Sequence, residues 1–447
     1  MSKNKQSLTS GPVIKTLTTL TIPMIFGMLS MVIFNIVDTY FIGKLGTNQI
    51  AALTFTFPVI LIIGSLSQGI GVGASAVISK AVGEGNHHKI QRYATDSLLL
   101  GVGLVIIFAA IGLLTIEPLF KMLGADSDTM PYIVQYMRIW YMGVAFVVIP
   151  MIGNNAIRAL GDMKTPSIVM AVAAGVNIIL DPLFIFGFAF IKPMGITGAA
   201  IATVISRAIT LIVALRILII RENLISFKNT TLTDIYNSWK EILFIGLPDA
   251  VTKMIIPVAT GVITGLIALY GKEAIAAFGI GTRLEMFALM VNAALASVLI
   301  PFAGQNLGAG EVGRAQKSIT VSEIFVIAYG VAMAIILMLF GKSFAGIFSS
   351  SPSVISLVQQ YLWIVPLSYS AQGILKISSA SLIVMNKPVI SAALTLIRMF
   401  VVYVPLAFLG SHYFGLIGVW VAITISFPIV AIAAHMIMRA KLKLLQS

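Results

Sequence analysis

Stretches of 20 or more predominantly apolar residues recur from one end of the chain to the other, separated by short polar connections. Each is long enough to cross a hydrocarbon layer of about 30 Å as a helix, the form in which a single span satisfies its own backbone polar groups. The pattern predicts twelve helices, at residues 16–42, 50–80, 93–116, 131–158, 166–191 and 195–221, then 241–269, 275–303, 318–341, 352–385, 388–410 and 415–438. The longest polar stretch, RENLISFKNTTLTDIYNSWKE, divides the two sets. The expected fold is therefore an all-α polytopic membrane protein. It comprises a six-helix N-terminal lobe (1–221), a cytoplasmic linker (222–240) and a six-helix C-terminal lobe (241–447).

Composition sharpens this reading. Of 447 residues 58% are hydrophobic and 10% are charged, against about 25% charged in a soluble domain. The net charge of +13 does not gather into a nucleic-acid-binding patch; most Lys and Arg sit at the N-tail, the even-numbered connections and the C-tail. The other five connections hold one each, Lys44, Lys121, Lys192, Lys272 and Lys342. Such an excess marks the cytoplasmic side, so both termini are expected there. The polar N-tail leads into a long span without a small-residue cleavage site, which reads as an uncleaved first helix. There is no cysteine, so disulfides and thiolate metal sites are excluded. The four histidines (His87, His88, His412, His435) lie at loops or helix ends, and no metal site is expected.

The halves match at an offset near 225 residues. Pro23 falls on Pro248, Gly46 on Gly271, and IAAL at Ile50 on IAAF at Ile275. VGEGNHHKIQR at Val82 falls on LGAGEVGRAQK at Leu307, and Gln135 and Tyr136 fall on Gln360 and Tyr361. Further on the offset drifts, DPLFIFG meeting VPLAFLG and MGITG meeting FGLIG. Six helices per repeat give both halves the same orientation, so the repeat is parallel, with a pseudo-twofold axis along the membrane normal. That organisation belongs to carriers; a one-chain channel or a membrane enzyme has no need of it.

Charges inside such spans are costly and mark sites. In the first half they are Asp38 and Asp181, with Asn35 three residues before the former and Asn177 four before the latter. The repeat places Ile263 opposite Asp38 and Val404 opposite Asp181, while Pro182 is kept as Pro405. The proline thus shapes both halves and the acid serves one. A proton-binding pair, open also to sodium, competes here with plain hydrogen-bonded helix contact. In the second half Asp249 and Lys253 stand at i, i+4; Lys376, Arg398, Arg283, Glu285 and Glu323 are further intramembrane or interfacial charges. Arg138 and Arg207 read as ordinary bundle or interface residues. Methionines such as Met31 and Met286 suit a surface that accepts varied ligands, or simple packing. GIGVGASA (69–76) reads as a small-residue stripe for close helix contact.

Together VDTYFIGKLG, GVGASAVISKAVGEGN, NAIRALGDMKTP, NIILDP and GITGAAIAT, in this order, resemble the multidrug and toxic compound extrusion (MATE) family, and the Asp38–Asp181–Asn177 pattern is similar to its DinF-like branch. The resemblance implies two six-helix bundles around a V-shaped cavity, proton coupling through the first-lobe acids, and cationic or amphipathic small-molecule substrates. It also adds Asn154 and Thr203 to the first-lobe cavity. The branch with a second-lobe sodium site has acids in its seventh and tenth helices; here the tenth offers Gln372 and Lys376, which disfavours that site. Candidate cavity residues are thus Asn154, Thr203, Met31, Lys253, Met286 and Gln372.

The expected activity is proton-coupled export by alternating access, in a monomeric, multi-pass protein of a prokaryotic plasma membrane, surrounded by lipid. No cofactor beyond the coupling ion is expected, H+ or, in the alternative, Na+. The closest rival is a flippase for anionic lipid-linked precursors, which Lys253, Lys376 and Arg398 would suit. A membrane scaffold or receptor comes next. An enzyme is least favoured, since no nucleophile–base constellation is present.

Overall fold

The structure is a computed structural model, in which residues 8–188, 190–227 and 230–445 are described. Lys3 and Lys5 of the N-tail, and positions 228 and 229 of the predicted linker, lie outside the described residues.

The chain is helical almost throughout, as backbone surrounded by hydrocarbon must be. In order the helices are α1 (Val13–Gly43), α2 (Thr47–Gly83), α3 (His87–Met122), α4 (Met130–Met142), α5 (Ala145–Ala159), α6 (Lys164–Phe186) and α7 (Ile196–Arg216). Then come α8 (Leu232–Ala268), α9 (Lys272–Ala288), α10 (Met290–Gly308), α11 (Val312–Phe348), α12 (Pro352–Ile364), α13 (Tyr369–Val384), α14 (Pro388–Leu396) and α15 (Val404–Lys443). Among the described residues nine helices are long and apolar enough to cross a membrane, or ten when the bent pair α4–α5 is counted as one span.

Several predicted spans are broken, each at an identifiable place. The span at 131–158 bends by 47° between α4 and α5, at Gly143 and Val144. The span at 275–303 breaks at Leu289, between α9 and α10. The span at 352–385 passes through a 3-10 turn, Val365–Ser368, that contains Pro366. The eleventh span runs from α14 through a π-helical stretch, Ile397–Tyr403, into α15, and Gly415, with φ 61°, interrupts α15 where the predicted twelfth span begins. Pro182 and Pro405 therefore act differently: the first lies inside continuous α6, and the second directly follows the π stretch.

Close contacts divide the chain into two compact units, one of residues 8–10 with Ile22–Ala250, the other of Gly11–Thr21 with Val251–Leu445 among the described residues. The division falls inside α1 and α8. In the first unit, α2 packs on α5 and α3, and α7 on α4, α5 and α6. The small-residue stripe brings backbones together here: a Cβ on Gly69 would stand 2.3 Å from the Gly246 carbonyl, and one on Gly73 2.3 Å from the Ile242 carbonyl. So α8 begins within the predicted linker and its first half is fastened to the first unit. Trp239 Nε1 donates to the Asp96 carbonyl at 2.9 Å, and Tyr93 Oη donates to Glu241 at 2.7 Å. In the second unit, α13 packs on α10, α11 and α15, around the fully buried Trp420, Tyr361 and Tyr369.

Candidate functional site

Two polar clusters stand out, one in each unit. The first is set by the packing of α1 on α6. Gly27 of α1 approaches α6 so closely that an added Cβ would lie 2.6 Å from the Met170 side chain and 3.0 Å from Ser167. Eleven residues further along each helix, about three turns, stand Asp38 and Asp181. Their carboxyl groups meet side chain to side chain. Asp181 and Asn177 are fully buried, and Asn177 Nδ2 donates to Asp181 Oδ1 at 3.1 Å. Asp38 Oδ1 and Asp181 Oδ2 have no donor among the described residues. Ionised carboxylates only accept hydrogen bonds, so the contact becomes a bond when one acid carries a proton.

Two further groups complete the cluster. Arg207 of α7 directs Nη1 at Met31 Sδ, 3.7 Å away, and lies over the Phe34 ring with 5.0 Å to its centroid. Its charge acts on Asp38. Tyr136 of α4 is buried and lies within electrostatic range of Asp38, Asp181 and Arg207. Neither residue was singled out as functional from the sequence. Arg207 carried a weak signal, a lone cation within an apolar run; its partner sits on a helix far away in the chain.

Asn35 does not join this group. It is exposed and makes no side-chain hydrogen bond to Asp38 among the described residues. The face of α1 that carries Asp38 is marked instead by Phe34 and Met31, at i−4 and i−7, which meet Arg207. Asn154 and Thr203 are buried in α5 and α7, and Asn154 Oδ1 has no partner among the described residues.

The second cluster surrounds Glu285 of α9. Tyr361 Oη donates to Oε2 at 2.7 Å and Gln372 Nε2 donates to Oε1 at 3.0 Å, so both carboxylate oxygens are held by neutral groups. Gln372 is buried as well as bonded to Ser368 Oγ at 3.1 Å. Lys376, Arg398, Tyr369 and Tyr403 lie within electrostatic range of the carboxylate. Met286, the next residue, is exposed, and Lys253 is half-buried on α8. Glu323, another charge noted in the sequence, forms a separate group with His435 Nδ1 at 2.6 Å and Arg439 Nη2 at 2.5 Å.

The MatE family model matches residues 23–183 and again 248–409, once in each half. A Shewanella oneidensis protein named FAD transporter is 36% identical over 97% of this chain and 96% of its own length. Multidrug export protein MepA of Staphylococcus aureus is 28% identical, with 96% of this chain and 94% of that protein covered. Among solved structures, a mutant of the Vibrio cholerae MATE transporter VcmN is 30% identical, covers 98% of both chains and superposes with a TM-score of 0.91.

Proposed function

The chain belongs to the MatE family, whose members are membrane transporters and not enzymes, and within it we propose a secondary exporter driven by proton entry at the Asp38–Asp181 pair. The observation that carries this is the meeting of two carboxyl groups on α1 and α6 with one arginine on α7. Arg207 cancels one negative charge. A single proton, shared between the acids, cancels the other. The cluster thus alternates between one net negative charge and none, which is the change a coupling site requires. Neutralisation removes the repulsion between α1 and α6 and changes how those helices pack, and through them the access of substrate. A sodium ion would have to displace or face the Arg207 guanidinium, whereas a proton needs neither, so protons are favoured over sodium.

In this reading the protein is monomeric, lies in a prokaryotic plasma membrane with both termini cytoplasmic, and works by alternating access. The substrate reading begins with the small molecules exported by relatives such as MepA. The relative named FAD transporter favours a second substrate class, a flavin dinucleotide, which is anionic.

The test is transport by purified protein in sodium-free liposomes under an imposed pH gradient, with a fluorescent cationic dye and with FAD as cargoes. Wild-type transport of one or both is expected to need the gradient and to fall to background in Asp38→Asn and Asp181→Asn. Variants that transport as well as the wild type would reduce the pair to a structural contact. Gradient-independent movement of lipid-linked anions instead would turn the reading to a flippase.

A further inference from the structure

The second unit buries more positive charge and more hydrogen-bond donors than its own side chains satisfy. Arg398 is 7% exposed, and its Nε has no partner among the described residues. Its guanidinium carbon lies over the Phe427 ring, 4.0 Å from the centroid, and Nη2 is directed at Met399 Sδ, a weak acceptor 2.6 Å away, so the remaining donors still call for an oxygen acceptor. The hydroxyls of Tyr369 and Tyr403 are likewise buried and unpartnered among the described residues. Lys376 has no hydrogen bond or ion pair among the described residues. Among the described residues the acid within reach is Glu285, already bonded through both oxygens to Tyr361 and Gln372, and no ion pair there joins it to either cation.

The backbone has been shaped to make this grouping. Arg398 and Tyr403 lie five residues apart in the π-helical stretch Ile397–Tyr403. In an α-helix that spacing turns two side chains about 140° away from each other. The wider winding of a π-helix brings them toward one face, and such turns frequently occur at functional sites. The corresponding stretch before Pro182, in α6, is ordinary α-helix, so at this repeat position the winding occurs in the second unit alone.

From these observations we infer that Arg398 and Lys376, with the hydroxyls of Tyr369 and Tyr403, form a binding site for the phosphate group of an anionic substrate. A phosphate ester supplies the charge and the several acceptor oxygens that two cations, an in-plane guanidinium edge and two hydroxyls call for. Glu285 keeps the cluster from binding such an anion too tightly to release it. The inference deepens the exporter reading by naming a substrate class, and rests on that reading for its role in transport.

The experiment is equilibrium binding to the full-length protein in lipid nanodiscs, with no gradient. The probes are flavin mononucleotide, riboflavin as its phosphate-free counterpart, and inorganic pyrophosphate as a ring-free anion. Flavin mononucleotide is expected to bind at least about tenfold more tightly than riboflavin, an advantage of the size a charge-assisted bond supplies. Arg398→Gln and Lys376→Gln should each remove that advantage and weaken pyrophosphate to a similar degree, while riboflavin binding is unchanged. Glu285→Gln should tighten both anions. Where Arg398→Gln does not fold, Arg398→Lys and Lys376→Gln decide. Equal affinity for the two flavins, anion affinity retained in the folded variants, or saturable binding of neither anion would overturn the site and leave Arg398 as a stacking partner of Phe427. Because no gradient is involved, transport that proves independent of Asp38 would sink the coupling scheme without touching this result, and the reverse also holds.

Discussion

The buried polar clusters of the two units carry opposite charge on closely related frameworks. In the first, two acids on α1 and α6 share one arginine; in the second, one acid on α9 stands among a lysine and an arginine. The repeat puts Tyr136 and Tyr361 at equivalent positions; Tyr136 lies within electrostatic range of both acids of its unit, and Tyr361 donates to the acid of its own. Duplication has kept the residues that shape the bundle, prolines, glycines and this tyrosine, and has let the charges diverge. A carrier needs one place that changes charge with a proton and another that recognises cargo. Opposite signs in the two units allow those tasks to be divided.

The strongest way to break this comparison is to attack what the units share. Gly198 and Gly418 are repeat partners. A Cβ on Gly198 would lie 2.4 Å from the Phe184 carbonyl, and one on Gly418 1.9 Å from the Gly410 carbonyl. Both obstacles are backbone and cannot swing aside. Gly198→Ala and Gly418→Ala should each destabilise the protein by about 3 kcal/mol or more, seen as loss of monodisperse protein or a lower thermal midpoint in detergent. If one is tolerated, the two frameworks are not equivalent after all.

Next come the charges. Arg207→Gln leaves two acids without a counter-charge and should cost about 2 kcal/mol at neutral pH, since one partner of a partly buried group is lost. The double variant Arg207→Gln/Asp38→Asn should recover part of this, a non-additivity that independent residues would not show. Equal and additive losses would separate Arg207 from the acid pair. The tyrosines sharpen the same point at smaller scale. Tyr361→Phe removes the donor to Glu285 Oε2 and should cost about 1.5 kcal/mol, whereas Tyr136→Phe should cost less, because no hydrogen bond of its hydroxyl is present among the described residues. A reversed order would mean that Tyr136 carries the proton pair more directly than its position suggests.

The sequence revealed this arrangement unevenly, and the reason lies in the range of each interaction. Asp38 and Asp181 were legible because a carboxylate in an apolar run is conspicuous, and Asn177 because a contact four residues away is fixed by the helix itself. Asn35 was misplaced because two polar residues at i, i+3 stand about 60° apart on the helix, and Phe34 holds the inward position. Arg207 and the Glu285–Tyr361–Gln372 group were not legible, since their partners lie on separate helices brought together only by packing. The bend at Gly143 and the break at Leu289 were invisible for a different reason: hydropathy runs on unbroken across them, whereas the interruption at Gly415 falls where the sequence already separates the eleventh and twelfth spans.

The smallest expected effect concerns the connection between α5 and α6, where the units differ once more in charge. Asp162 accepts from Thr165 Oγ1 at 2.6 Å and from the Thr165 amide at 2.9 Å, and it is paired with Arg221 Nη2. Burial works against the ionised form, but the Thr165 bonds and the Arg221 guanidinium outweigh it and hold the carboxyl below its ordinary range. A group depressed in the folded state stabilises it above the unfolded value, and that contribution fades as pH falls through the folded one. Asp162→Asn should therefore lower stability by about 1 kcal/mol at pH 7, with the difference from wild type shrinking below about pH 4. Thermal unfolding of both proteins across pH 3 to 7 reads this directly (a range set by the ordinary carboxylate value of about 4). In the repeat KTP at Lys164 falls on NKP at Asn386, which puts Val384 where Asp162 would stand, so the matching connection lacks the acid. It turns instead through Asn386 itself, at φ 59°. Substitutions there should change stability without any dependence on pH in this window. A pH dependence in both connections would show that charge had not diverged at the helix ends as it has in the bundle interior.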